Sequence, residues 1–186
     1  KGYLEYGKAT VDNYEFMSEC GLMLLGNIEL TSEGFPRSDR YFDELPGVFH
    51  ESALLDRFHG FIEGWLLPRM NNDMILRDWT INVEFFSEVM HKLRVAPEYA
   101  ELVNNAIEVP KKADTRHLNA VRRIATAYCK LLFPHITNVE DIDKMEFDRY
   151  CLQPAIHRRD QVRQQCANID TESSFSQPMP NIRVKL

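Results

Sequence analysis

The chain has 186 residues, 44% of them hydrophobic, and a formal net charge of −6. This size and apolar content suit one globular domain or two small lobes, and the acidic balance excludes a dominant nucleic-acid footprint over the chain as a whole. The longest apolar run, residues 22–25, is interrupted by Asn27 and Glu29 and falls short of a membrane span, so no membrane association is expected.

Residues 2–5 read as the tail of an element already under way, and position 1 is Lys rather than Met, so the chain is expected to be a piece of a longer protein. The first segment has no long apolar core of the signal-peptide kind. Lys8, Ala9, Thr10 and Val11 alternate polar and apolar before the turn-forming pair Asp12-Asn13, a β-hairpin signal. Residues 22–25 are continuously apolar, as in a strand buried on both faces of a parallel sheet. Residues 32–40 are loop-like, and residues 40–45 form a short helical turn stopped by Pro46-Gly47. Residues 51–61 place Leu54, Leu55, Phe58 and Phe61 on one helical face. Residues 64–68 read as a last short strand ending at Pro68.

From about Met70 the pattern becomes helical. Residues 79–93 carry apolar side chains at helical spacing, and a further helix begins at Pro97 and Tyr99. Asp114-Thr115 caps a helix over 116–133, stopped by Pro134. Residues 141–166 read as one or two helices with Pro154 at a kink or boundary. Residues 171–186 read as a linker or tail.

The four cysteines, Cys20, Cys129, Cys151 and Cys166, show neither C-x-x-C pairing nor zinc-finger spacing to histidine. They read as reduced thiols of a cytoplasmic protein, and no metal site is expected. Gly2 to Lys8 matches G-x-x-x-x-G-K, but Ala9 stands where a phosphate-binding loop needs Ser or Thr, and Glu5 and two tyrosines would crowd the phosphates. No metalloprotease helix, G-x-S-x-G or serine dyad is present.

Asn27, at the end of the apolar run, could hold a carboxamide beside a γ-phosphate and orient water; equally, Gly26-Asn27 suits a plain turn. Arg57 is the residue type that stabilises transferring phosphoryl charge, in cis or from a neighbour; the plainer reading is a surface Asp56-Arg57 pair. Arg116 opens a helix, where a cation opposes the dipole, so it either reaches toward a phosphate or is simply solvated. His157, Arg158, Arg159 and Arg163 form a basic helical stretch that touches nucleic acid or a neighbouring domain, or is a solvated face.

These residues together resemble the AAA+ core of the Lon-like protein family of BREX phage-defence systems (BrxL). The likeness rests on Gly2-Tyr3-Leu4-Glu5 before a hairpin, Leu25-Gly26-Asn27-Ile28 and Leu55-Asp56-Arg57-Phe58-His59-Gly60-Phe61-Ile62-x-Gly64-Trp65. It continues through Arg116-x-x-x-Ala120-Val121, Lys130-Leu131-Leu132-Phe133-Pro134 and Ala155-x-x-x-Arg159-x-x-Val162. It covers about residues 1–167, and the word from Asp56 to Trp65 is its most specific part. A more distant similarity to the MCM-like helicase branch shows in the order of hairpin, strand-Asn and Arg-Phe.

The resemblance implies an α/β AAA+ part that is mostly helical, with a small remnant of a parallel sheet and a β-hairpin followed by an all-α lid. Residues 1–70 would be the end of the α/β subdomain and 71–170 the lid. Asn27 would be sensor 1, Arg57 the arginine finger and Arg116 sensor 2. The hairpin, with Lys8, Thr10 and Asn13, would face a pore where such rings meet DNA. ATP and Mg²⁺ would serve the full-length protein in a homo-oligomeric ring. Full-length members carry a P-loop and Walker B residues, and many carry a Lon-protease-like domain. None of these is in this chain, so alone it is expected to be inactive and it holds no protease site. The competing expectation is a non-enzymatic helical interaction module or a DNA-binding module.

Overall fold

The computed structural model describes residues 2–170 and 175–185. They gather into two compact units, Lys1–Phe61 with Arg158–Met179, and Ile62–His157 with Pro180–Leu186. The chain is mostly helical with small antiparallel strand pairs.

The first unit opens with a one-turn helix α1 (Gly2–Tyr6). Gly7 ends it, its N–H donating to Tyr3 O at 2.9 Å. Gly7 has φ +68, and a Cβ there would lie 2.4 Å from Ser18 O. Only glycine tolerates both the left-handed conformation and that approach. The stretch that matches a phosphate loop is therefore a capped helix running into a hairpin. Strands β1 (Lys8–Val11) and β2 (Tyr14–Met17) pair antiparallel, joined by Asp12-Asn13 with Asp12 at φ +53. Asp is among the few non-glycine residues that enter this region at low cost. The register puts Lys8, Thr10, Glu15 and Met17 on one face and Ala9, Val11, Tyr14 and Phe16 on the other.

The apolar run 22–25 forms no strand, and its side chains are exposed, Leu25 to 92%. The strand expected here is corrected: burial on both faces needs strands alongside and helices above and below, and none of the described residues supplies them. The strand expected at 64–68 is likewise a 3₁₀ turn (Gly64–Leu66). The predicted helical turn after Arg40 is present as a 3₁₀ turn (Tyr41–Glu44), which leads to the short helix α2 (Ser52–Leu55).

The core of this unit is Phe42, Leu55, Val162 and Cys166, with Tyr41, Phe49, Phe58 and Phe61 packed around them. Phe61 stacks on Tyr41 at 5.5 Å between ring centroids and meets Phe42 edge-on at 5.7 Å, both favourable aromatic geometries.

In the second unit, α3 (Val83–Arg94) is capped by Asn82, whose side chain accepts from Phe85 N–H. Helix α4 (Glu98–Ala106) packs on α5 (Thr115–Leu132). Tyr99, Leu102, Val103, Val121, Ala125 and Cys129 are buried where they meet. Helix α6 (Lys144–Phe147) continues through a π-helical stretch (Asp148–Leu152) into α7 (Gln153–Ile169). Pro154 supplies the reason for the boundary expected there. It has no N–H and its ring crowds the preceding turn, so the ladder widens just before it.

Residues 180–185 are built in rather than trailing. Ile182 is buried, and β4 (Arg183–Val184) pairs antiparallel with β3 (Ile107–Glu108). The linker expected over 171–186 lies partly outside the described residues. The described end of it is a paired strand, because β3 offers an unpaired edge.

Candidate functional site

Helix α2 ends at Leu55, well short of the predicted 51–61 helix, and the reason lies in the side chain of Arg159. Arg159, on the far part of α7, is 1% exposed. Its Nη1 donates to Asp56 O at 2.9 Å and to Phe58 O at 2.7 Å, and its Nη2 donates to the Asp56 carboxylate. Those carbonyls accept from a guanidinium instead of from the next helical turn, so the chain leaves the helix as a loop. The neighbouring Arg158 adds backbone contact: Phe61 N–H donates to Arg158 O at 3.1 Å. The loop 56–61, which opens the Asp56-to-Trp65 word, is thus held by α7 at residues 56, 58 and 61.

Arg57 lies between the two carbonyls held by Arg159. Its side chain is 13% exposed, and its Nη1 donates to Ala53 O. Its buried Nε has no hydrogen-bond partner; Glu5 Oε1 of α1 lies 3.3 Å away, within ion-pair distance but without hydrogen-bond alignment. The surface Asp56-Arg57 pair weighed from the sequence is corrected: Asp56 is buried and belongs to Arg159, and Arg57 faces Glu5.

Asn27 is exposed, at the end of the unpaired apolar run. On the hairpin, Lys8 forms a 3.0 Å ion pair with Glu15, diagonal to it on the same face, while Thr10 and Asn13 are exposed. Arg116 belongs to the second unit, in the first turn of α5. Asp114 Oδ1 accepts from its backbone N–H at 2.7 Å and from His117 N–H at 3.3 Å. This carboxylate cap offsets the unfavourable placement of a cation at a helix N-terminus.

The basic stretch of α7 is not a free cationic face. Arg159 is buried, Arg163 pairs with Asp160 at 2.6 Å and donates to Phe175 O, and His157 Nε2 lies 2.6 Å from Glu63. Of the residues in that stretch, Arg159 is corrected as a nucleic-acid contact: a guanidinium enclosed in the core cannot reach a phosphate.

Sequence reasoning missed Arg159 and Gln165 as structural residues. Gln165 is buried, accepts from Phe42 N–H at 3.2 Å and donates to Asp39 O at 2.6 Å. The signal for Arg159 was available: Ala155, Arg159, Val162 and Cys166 recur at spacings of four, three and four, the stripe of a core-facing helix. An arginine on such a stripe is either an error of the pattern or a buried clamp.

Cys166 packs beside this clamp. Burial, first, and the Asp56 carboxylate, second, push its thiol up to about 12, against a smaller opposing effect of Arg159. Cys129 and Cys151, buried in the second unit, share a hydrogen bond that holds the Cys129 thiol low and the Cys151 thiol high. All four cysteines are free thiols, Cys20 alone being exposed. Among the described residues no group of three His, Cys, Asp or Glu is placed to hold a metal ion, and no helix is long and apolar enough to cross a membrane.

A mostly helical chain with a hairpin and a clamped Asp-Arg-Phe loop fits an ATPase-domain family. The chain belongs to the family described as Lon-like protease BrxL-like, ATPase domain, whose model matches residues 1–179. It is similar to the Lon-like protease BrxL of Escherichia coli O9:H4 (strain HS), 23% identical over 166 residues, which is 89% of this chain and 23% of that protein. It is also similar to the Lon-like protease BrxL of Bacillus cereus (strain H3081.97), 24% identical over 153 residues, 82% of this chain and 22% of that protein. The chain thus spans less than a quarter of the length of these curated relatives.

Proposed function

We propose that this chain is the arginine-finger and lid part of an AAA+ module in a Lon-like BREX-type ATPase. Residues 1–70 are the end of the α/β subdomain and residues 71–170 the lid. The whole protein hydrolyses ATP with Mg²⁺ at the interfaces of a homo-oligomeric ring and couples that to DNA engagement in phage defence. The observation that carries this reading is Arg57: it lies in the most family-specific word of the chain, with both flanking carbonyls bonded to a buried arginine.

The residues present fit one side of a nucleotide site. They offer cations to phosphate, and among the described residues there is no carboxylate cluster for Mg²⁺. When bound, Mg²⁺-ATP supplies the transferable phosphoryl group. Arg57 stabilises the charge developing on it from the neighbouring subunit. Its guanidinium exchanges the Glu5 carboxylate for phosphate oxygens, a substitution of one anion for another. Asn27 orients the attacking water as sensor 1, and Arg116 couples nucleotide state to lid angle as sensor 2. Lys8, Thr10 and Asn13 line the hairpin that meets DNA. Ring formation is supported by the exposed apolar side chains of the hairpin and of residues 22–25, surface suited to contacts beyond this chain.

The test is Arg57→Ala in the full-length protein. Turnover is expected to fall by about 10³-fold or more, with nucleotide binding retained, as for a finger that acts only on the transition state. Unchanged turnover would remove the finger assignment and favour a non-enzymatic interaction module.

A further inference from the structure

We propose that Arg159 is the positioning residue of the Arg57 finger, fixing the backbone on both sides of it; this rests on the reading of Arg57 as the finger. The geometry is specific. One guanidinium nitrogen, Nη1, bonds the carbonyl before Arg57 at 2.9 Å and the carbonyl after it at 2.7 Å. The other, Nη2, bonds the side chain of Asp56, so the residue preceding the finger is held by both main chain and side chain. With the peptide group before Arg57 and the one following Phe58 both anchored, the course of the backbone through Arg57, and so the direction in which its side chain leaves, is set by α7.

Arg159 itself cannot meet a nucleotide, because its side chain is enclosed in the unit's core. Nor is stability a sufficient reason for it. A buried ion pair is at best a modest source of stability compared with apolar side chains of the same volume. What the planar fork supplies, and an apolar side chain or a lysine cannot, is simultaneous grip on two carbonyls and a carboxylate in fixed directions. Catalysis by a finger depends on that kind of placement, since a misplacement of about 1 Å can cost about 10²-fold in rate. The clamp is reinforced one residue earlier, where Arg158 O accepts from Phe61 N–H and Arg158 Nη1 reaches Phe61 O at 3.5 Å. The loop is thus tied at 56, 58 and 61 to consecutive residues of one helix.

The experiment is a steady-state ATPase cycle in the full-length protein with Arg57→Ala, Arg159→Lys and the two combined. Arg159→Lys keeps a cation for Asp56 and loses the fork. It is expected to lower kcat by about 10²-fold while leaving KM for ATP nearly unchanged. The combination is expected to be no slower than Arg57→Ala alone, because Arg159 acts only through Arg57. The inference is overturned if Arg159→Lys retains kcat, or if its loss multiplies with that of Arg57→Ala. If Arg57→Ala itself leaves kcat unchanged, the finger reading falls first and takes this one with it.

A second variant covers misfolding of Arg159→Lys. Asp56→Leu combined with Arg159→Met replaces the pair by apolar packing, and such replacements often keep or raise stability. Melting at or above the wild-type temperature with kcat still depressed supports positioning. Melting at or above that temperature with wild-type kcat overturns it.

Discussion

At the scale of single residues, the first unit shows how a charged group earns a place in a core through its bonds. Arg159 is tolerated because Asp56 and two carbonyls satisfy it; removing one partner of such a pair costs about 3–5 kcal/mol, as it leaves the other buried and uncompensated. Arg159→Ala is therefore expected to lower the unfolding free energy by that order, measured by urea denaturation. The thiols beside it give a second test. At pH 8, DTNB is expected to label Cys20 rapidly and the three buried thiols only on unfolding. Cys166 also carries a pH dependence. Its folded-state thiol lies at about 12 against an ordinary 9.0, so the folded state favours the protonated form. The corresponding stability is fully present below pH 9 and is lost as pH rises toward 12. Comparing denaturation of the wild type with Cys166→Ser across that range isolates the effect, and identical slopes would refute it.

At the scale of elements, helices came through most directly. The helix from Thr115 to Leu132 follows from its apolar spacing, its Asp114 cap and Pro134 beyond its end. Its buried stripe is His117, Ala120, Val121, Ala125 and Cys129, while the apolar Leu131 and Leu132 at its end are exposed. Asp114→Ala is expected to cost about 1 kcal/mol, seen as a lower melting temperature, since two N–H groups lose their acceptor. The hairpin was legible from alternation and from Asp12-Asn13. Its dependence on Gly7 was not, because that dependence comes from Ser18 O lying where a Cβ would be. Gly7→Ala is expected to destabilise by more than about 1 kcal/mol, and a wild-type melting curve would contradict the close approach.

At the scale of the whole molecule, the G-x-x-x-x-G-K match folds as α1 and its glycine cap, and Lys8 is paired to Glu15. Titration of this chain with a fluorescent ATP analogue and Mg²⁺ is accordingly expected to show no saturable binding up to millimolar nucleotide. Tight, Mg²⁺-dependent binding would show that residues 2–8 reorganise into a phosphate site. The amino-acid sequence by itself determined the mostly helical character, the helix boundaries marked by caps and prolines, the hairpin, and the family word around Arg57, since each depends on neighbours within a few residues. It did not determine whether residues 22–25 would be a strand, because strand formation requires partners that local pattern does not name. Nor did it assign Asp56 to Arg159 rather than to Arg57, because that choice joins residues 103 positions apart. Only the tertiary structure, which makes the core choose one partner for each buried charge, decided that the loop carrying Arg57 is held by α7.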